Sequence, residues 1–169
     1  MKLNEVTYTP CYSSDEVDRL IFYTERRIDR EYYIWKLYVN KTLTFKQIGM
    51  IVGCSESVAG FALRRIIAIG SDEKIVEYFK VAFDLYDILE ELGGNPDRQL
   101  NYIMNALLRA GICKKTKIKN LTIKQLEDFL GQKDLHNAGK KTKEAFRKYR
   151  YRLKHHILQR EVGISKLIF

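Results

Sequence analysis

Residues 44–69 constrain this chain more than any other stretch; they read TFKQIGMIVGCSESVAGFALRRIIAI. Ile48, Ile51 and Val52 recur at helical spacing, so a helix over Phe45–Val52 can bury one face. Gly53 follows, and a glycine at a helix end can enter the left-handed conformation and turn the chain sharply. Ser55 then offers a side-chain oxygen to cap a second helix, and Ala59, Ala62, Leu63 and Ile66 give that helix an inner stripe. Gly49 is small where the two helices must approach. Two helices joined by a short glycine-containing turn form a helix-turn-helix, whose second helix can enter the major groove of DNA. An ordinary helical hairpin that touches no nucleic acid has the same pattern.

Ile48-Gly49 precedes the turn, Gly53-Cys54 makes it, and Arg64-Arg65 lies near the end of the second helix. In these residues the stretch resembles the helix-turn-helix of sigma factor region 4 and its bacterial and phage relatives. Residues 30–38, REYYIWKLY, resemble the preceding helix of that region. Where the family carries an apolar residue six positions after the turn glycine, this chain has Ala59, with Val58 beside it. The resemblance implies double-stranded DNA as partner and nominates Thr44, Lys46, Ser55, Glu56, Ser57, Gly60, Phe61, Arg64 and Arg65 as contacts. The inner stripe predicts that Ser55, Glu56, Ser57, Gly60, Phe61 and Arg64 face outward. Ser57 and Arg64 suit a base or phosphate, and Glu56 can accept from cytosine.

The remaining composition narrows the classes. With 169 residues the chain can bury one core or two small ones, and at 46% hydrophobic residues it folds. No run approaches the ~20 apolar residues of a membrane span, and the first residues lack the apolar core of a signal peptide. Cys11, Cys54 and Cys113 are odd in number and far apart, which reads as reduced thiols in a cytoplasm. The net charge of +9 is unevenly spread: residues 1–112 carry 14 basic and 16 acidic side chains, residues 113–160 carry 15 basic and 4 acidic. A basic region this dense suggests a polyanion, nucleic acid above all, although lysine runs also serve as solvated helix faces.

In chain order, a helix is expected from Asp15, and another over 29–39 with Tyr33, Ile34, Leu37 and Tyr38 inward and Tyr32 and Trp35 flanking. A long helix over 72–92 repeats Ile75, Phe79, Ala82, Phe83, Tyr86, Leu89 and Leu92; Asp84, Asp87, Glu90 and Glu91 mark an acidic face. Gly93-Gly94-Asn95-Pro96 ends it. This divides the chain into a helix-turn-helix domain with N-terminal helices (1–70), a connecting helix and linker (71–96) and a basic helical domain (97–169). The long helix is readable as a spacer, as a seam for a homodimer, or as the core of one continuous domain. Further helices follow over 97–110, stopped by Gly111, and from Thr122, where Gln125 completes a capping box. A last, strongly basic helix runs to about Gln159.

Asn105, Leu107, Gly111-Ile112, Leu121-Thr122 and residues 137–142, NAGKKT, resemble the C-terminal domain of the RNA polymerase alpha subunit over roughly residues 98–153. The resemblance implies a helix-hairpin-helix relative that grips DNA across the minor groove, with Asn105, Asn137, Gly139, Lys140, Lys141, Thr142 and Arg147 as contacts. Tyr102 stands where the family has its minor-groove arginine; Arg98 and Arg109 are the substitutes at hand. There is no glycine-rich phosphate loop, no Gly-x-Ser-x-Gly, no His-Glu-x-x-His and no paired-cysteine metal site.

The expectation is an all-α, non-enzymatic, sequence-specific DNA-binding transcription regulator without cofactor or metal. Contact with RNA polymerase follows by analogy alone. The alternatives are an adaptor that binds RNA polymerase or a sigma factor, and an accessory protein of recombination or DNA packaging.

Overall fold

The computed structural model describes residues 26–40, 43–136 and 138–165, without the side chains of Asp134 and residues 156–165. The helix expected from Asp15, the residue Asn137 and the last four residues of the apolar tail lie outside the described residues. Every regular element among the described residues is α-helical. The helices are α1 (Arg27–Asn40), α2 (Phe45–Val52), α3 (Glu56–Ile67), α4 (Asp72–Leu92), α5 (Pro96–Ala110), α6 (Lys115–Lys119), α7 (Ile123–Leu130), α8 (Lys133–His136) and α9 (Gly139–Ser165). Among them no helix is long and apolar enough to cross a membrane. The chain forms two compact units, residues 1–71 and 72–169.

In the first unit, α1, α2 and α3 pack around Ile34, Leu37, Ile48, Ile51, Val52, Ala59, Ala62 and Leu63. Thr44 caps α2 in a full capping box: its hydroxyl accepts from Gln47 N, and the Gln47 side chain accepts from Thr44 N at 2.9 Å. Gly53 ends α2 at φ +81°, and Ser55 caps α3 by accepting from Val58 N at 3.2 Å. The turn is held by Gly49, whose carbonyl accepts from both Gly53 N and Cys54 N at 2.8 Å. A Cβ on Gly49 would stand 2.6 Å from the Cys54 carbonyl oxygen.

The buried face of α1 is rotated from the expected one. Tyr32 and Trp35 are buried while Tyr38 is exposed. Two carboxylates share the buried face: Glu31 accepts from Arg27 on its own helix and from Arg65 on α3, and Asp29 accepts from Arg26 at 2.8 Å.

In the second unit α4 is no connector. It packs along α5 and α9 and buries Val81, Leu85 and Ile88 besides the expected stripe, so its middle, residues 78–89, is buried on most sides, as befits a central helix. Asp84, expected on an acidic face, is only 3% exposed. It accepts from the Tyr149 hydroxyl at 3.0 Å and pairs with the buried Lys115 ammonium at 3.7 Å. Lys115 lies on α6, a one-turn helix between the two helices expected on either side of it; Ile118 anchors it. Thr122 and Gln125 form the expected capping box of α7, and Phe129 of that helix meets Phe146 of α9 at 4.6 Å between ring centres.

Gly49→Ala and Gly53→Ala separate two roles of glycine. At Gly49 the clash is with backbone that cannot rotate away, which falls at the upper end of the about 1–3 kcal/mol cost of overpacking. At Gly53 nothing lies within 4 Å, so only the strain of the left-handed conformation remains, about 1 kcal/mol. Urea unfolding of the two variants should rank Gly49→Ala clearly below Gly53→Ala.

Candidate nucleic-acid interface

The outward surface of α3 follows from its inward one. Ala59, Ala62, Leu63 and Ile66 are buried, so at about 100° per residue the opposite side is centred on Ser57, Phe61 and Arg64. All three are exposed, as are Lys46, Ser55 and Glu56. Arg64 is not a free-swinging cation. Its guanidinium lies 5.9 Å from the ring centre of Phe45 on α2 and 5.8 Å from that of Phe61, so two aromatic faces hold it. Glu56 occupies the first turn of α3, where its charge suits the helix N-terminus.

Three residues of this group differ from the expectation. Gly60 is buried: a Cβ there would stand 3.1 Å from the Phe45 ring, which packs over the glycine. Arg65 is half-buried and ion-paired with Glu31, so its charge is spent inside the unit. Thr44 is exposed, but its hydroxyl accepts from Gln47 N as a cap. The sequence reading also missed Phe45 and Arg30. Phe45 was legible only as an apolar helix start. Arg30 sits near enough to the turn to pull the Cys54 thiol pKa down against the stronger, upward effect of burial.

The second basic group surrounds the start of α9. Gly139 is exposed at φ +84°, and Lys140 and Lys141 beside it are exposed. Thr142 is fully buried and donates to Ala138 O at 2.7 Å, so it locks the helix start from within and has no hydroxyl to offer a ligand. Lys141 is turned toward α4: a side chain on Gly93, just past the end of that helix, would begin 3.8 Å from its ammonium. A cation is favoured at such a carbonyl end, which answers part of the repulsion expected from lysines at a helix N-terminus. Asn105 is exposed on α5. A cleft of about 280 Å³ joins Ala138 to Asn95, Arg98, Gln99 and Tyr102, with Arg98 lying over the Tyr102 ring at 5.9 Å. Of the two candidate substitutes for the missing arginine, Arg98 is thus the one beside the start of α9.

Much of the remaining basic charge of α9 is matched locally. Lys148 and Arg152 pair with Glu91 on α4, Arg147 approaches Glu127 on α7 at 3.6 Å, and Arg150 donates to Leu121 O. Lys140, Lys143 and Lys154 make no ion pair among the described residues.

No group of His, Cys, Asp and Glu among the described residues could hold a metal ion. Burial, helped by Glu77, pushes the Cys113 thiol up to about 12, which keeps it protonated and unreactive near neutral pH. Comparison with known proteins finds no match among family models, curated proteins or solved structures.

The cysteine gives a pH-dependent prediction. With its folded-state pKa raised, Cys113 binds its proton longer in the folded chain than in the unfolded one. Its stabilising effect is therefore complete below the ordinary thiol range and is lost as pH rises from there toward about 12. Iodoacetamide at pH 8 should label Cys113 about a thousandfold more slowly in the folded chain than in urea, as peptide mapping by mass spectrometry can read.

Proposed function

We propose that this protein is a sequence-specific double-stranded DNA-binding transcription regulator. In this reading α2 and α3 form a helix-turn-helix of the sigma region 4 type, and α3 enters the major groove. The observation that carries it is the outward stripe Ser57–Phe61–Arg64, with the arginine held by Phe45 and Phe61. A guanidinium whose orientation is fixed before binding loses less freedom when it forms the bidentate pair with guanine O6 and N7. The short, doubly capped pair of helices supports the same reading, because rigid elements position base-reading side chains better than loops do.

The start of α9, with Lys140, Lys141 and Gly139, is proposed as a second, sequence-independent phosphate contact, with Arg98 on α5 beside it and the exposed Asn105 of α5 as a further candidate. Thr142 and Arg65 drop out of the contact set, and Gly60 serves packing. Contact with RNA polymerase remains an analogy from the two resemblances. The adaptor reading has one observation in its favour: the internal pairing of Arg147, Lys148 and Arg152 lowers the free charge of α9, while Tyr151 on that helix and Ile123 on α7 are exposed apolar side chains that a protein could meet.

Selection of bound sequences from a random duplex library tests the main reading, and retrieval of a consensus is the expected result. Arg64→Ala should weaken binding to that consensus by about 1–3 kcal/mol and leave random duplex almost unaffected. An equal loss on both would make Arg64 a phosphate contact, and no loss on either would remove α3 from the interface. Replacing Lys140 and Lys141 by Ala should weaken all duplexes alike and flatten the dependence of log K on log salt by about 0.9 for each phosphate no longer neutralised. An unchanged slope in a folded variant would favour the adaptor reading for the second unit.

A further inference from the structure

The centre line of the outer face of α3 holds an aromatic side chain. Phe61 is 68% exposed, more than any other large apolar side chain described in the first unit. Its neighbours on that line, Ser57 and Arg64, are polar, while Val58, one turn back and to one side, adds a smaller apolar surface at 38% exposure. One side of the ring carries a cation. The Arg64 guanidinium lies against it on one side, and the same guanidinium is anchored on Phe45, whose ring covers Gly60.

A phenyl ring flanked by a cation and a hydroxyl matches a small apolar group set among hydrogen-bonding ones. On the base edges of the major groove there is one such group, the C5 methyl of thymine. 5-Methylcytosine carries the same methyl at the same place. Building on the proposed entry of α3 into the major groove, we propose that Phe61 is a specificity-determining residue that reads a pyrimidine C5 methyl next to the base contacted by Arg64. The pairing is chemical on both sides. Arg64 finds acceptors on guanine, and Phe61 finds the only apolar atom that the groove presents. Lys46, also exposed, supplies positive charge that suits a flanking phosphate.

The test uses the full chain and the consensus duplex recovered by selection. Each thymine in turn is replaced by deoxyuridine, which removes one methyl and no hydrogen-bonding group. At one or two positions the wild type should bind the uracil duplex about fourfold more weakly, the effect of one buried apolar carbon. Phe61→Ala should bind thymine and uracil duplexes equally, and Phe61→Leu should keep part of the preference. Arg64→Ala should lose affinity and, with the cation gone from one side of the ring, keep part of the methyl preference. Replacing the cytosines by 5-methylcytosine identifies the source of the methyl: a gain at the position of the consensus that Phe61 faces assigns modified cytosine, and no gain assigns thymine.

Circular dichroism of Phe61→Ala controls for folding, which an exposed ring should not affect. Equal binding of thymine, uracil and methylated duplexes by the wild type overturns the proposal while leaving DNA binding intact. Retention of the methyl preference by Phe61→Ala overturns it as well. Absence of any duplex binding overturns the functional reading itself, and this proposal with it. Self-association of the wild type that Phe61→Ala abolishes, without a methyl preference, reassigns the ring to an interface between two copies of the chain.

Discussion

A gap too small for a methyl group governs the first unit. Gly49 and the Cys54 carbonyl approach so closely that a Cβ would stand 2.6 Å from the oxygen, and this approach sets how tightly α2 can turn into α3. The Gly49 carbonyl takes up the two N–H groups of the turn, Thr44 and Ser55 cap the two helices, and the joint needs no longer loop. With the turn fixed, Ile48, Ile51 and Val52 meet Ala59, Ala62 and Leu63, and α1 closes the core with Ile34 and Leu37. The outward direction of Ser57, Phe61 and Arg64 is a consequence of that packing. A small shift at Gly49 would rotate the stripe relative to α1, so the proposed base contacts depend on a backbone approach on the other side of the helix.

Electrostatics in this molecule work largely inside the units. Glu31 draws Arg65 away from the surface of α3, and Asp84, almost without solvent, gathers Tyr149 and Lys115 around the central helix of the second unit. Such buried groups are costly to isolate: removing one partner would leave the other charged and unpaired. Glu91 takes Lys148 and Arg152, so a helix that looks uniformly basic in the sequence has part of its charge neutralised by α4. The free cations that remain lie at the start of α9 and in the lysines that make no such pair. A polyanion would therefore meet a smaller and more localised basic surface than the +11 of residues 113–160 suggests.

What depends on near neighbours is legible along the chain. Capping at Thr44, Ser55 and Thr122, the stops at Gly53 and Gly111 and the inner stripe of α3 are set by residues within one turn of each other. Their hydrogen bonds and periodicity can be read along the chain. Tertiary structure decided what depends on residues far apart. Only the fold brought Arg65 to Glu31, 34 residues away, and Tyr149 to Asp84, 65 residues away. Only packing placed Phe45 over Gly60 and turned an expected contact into a core position, and only the pairing of α4 with α9 made a supposed connector the centre of a unit. Charge and exposure at each candidate site belong to this second class, because a side chain's freedom is fixed by what the rest of the chain lays against it.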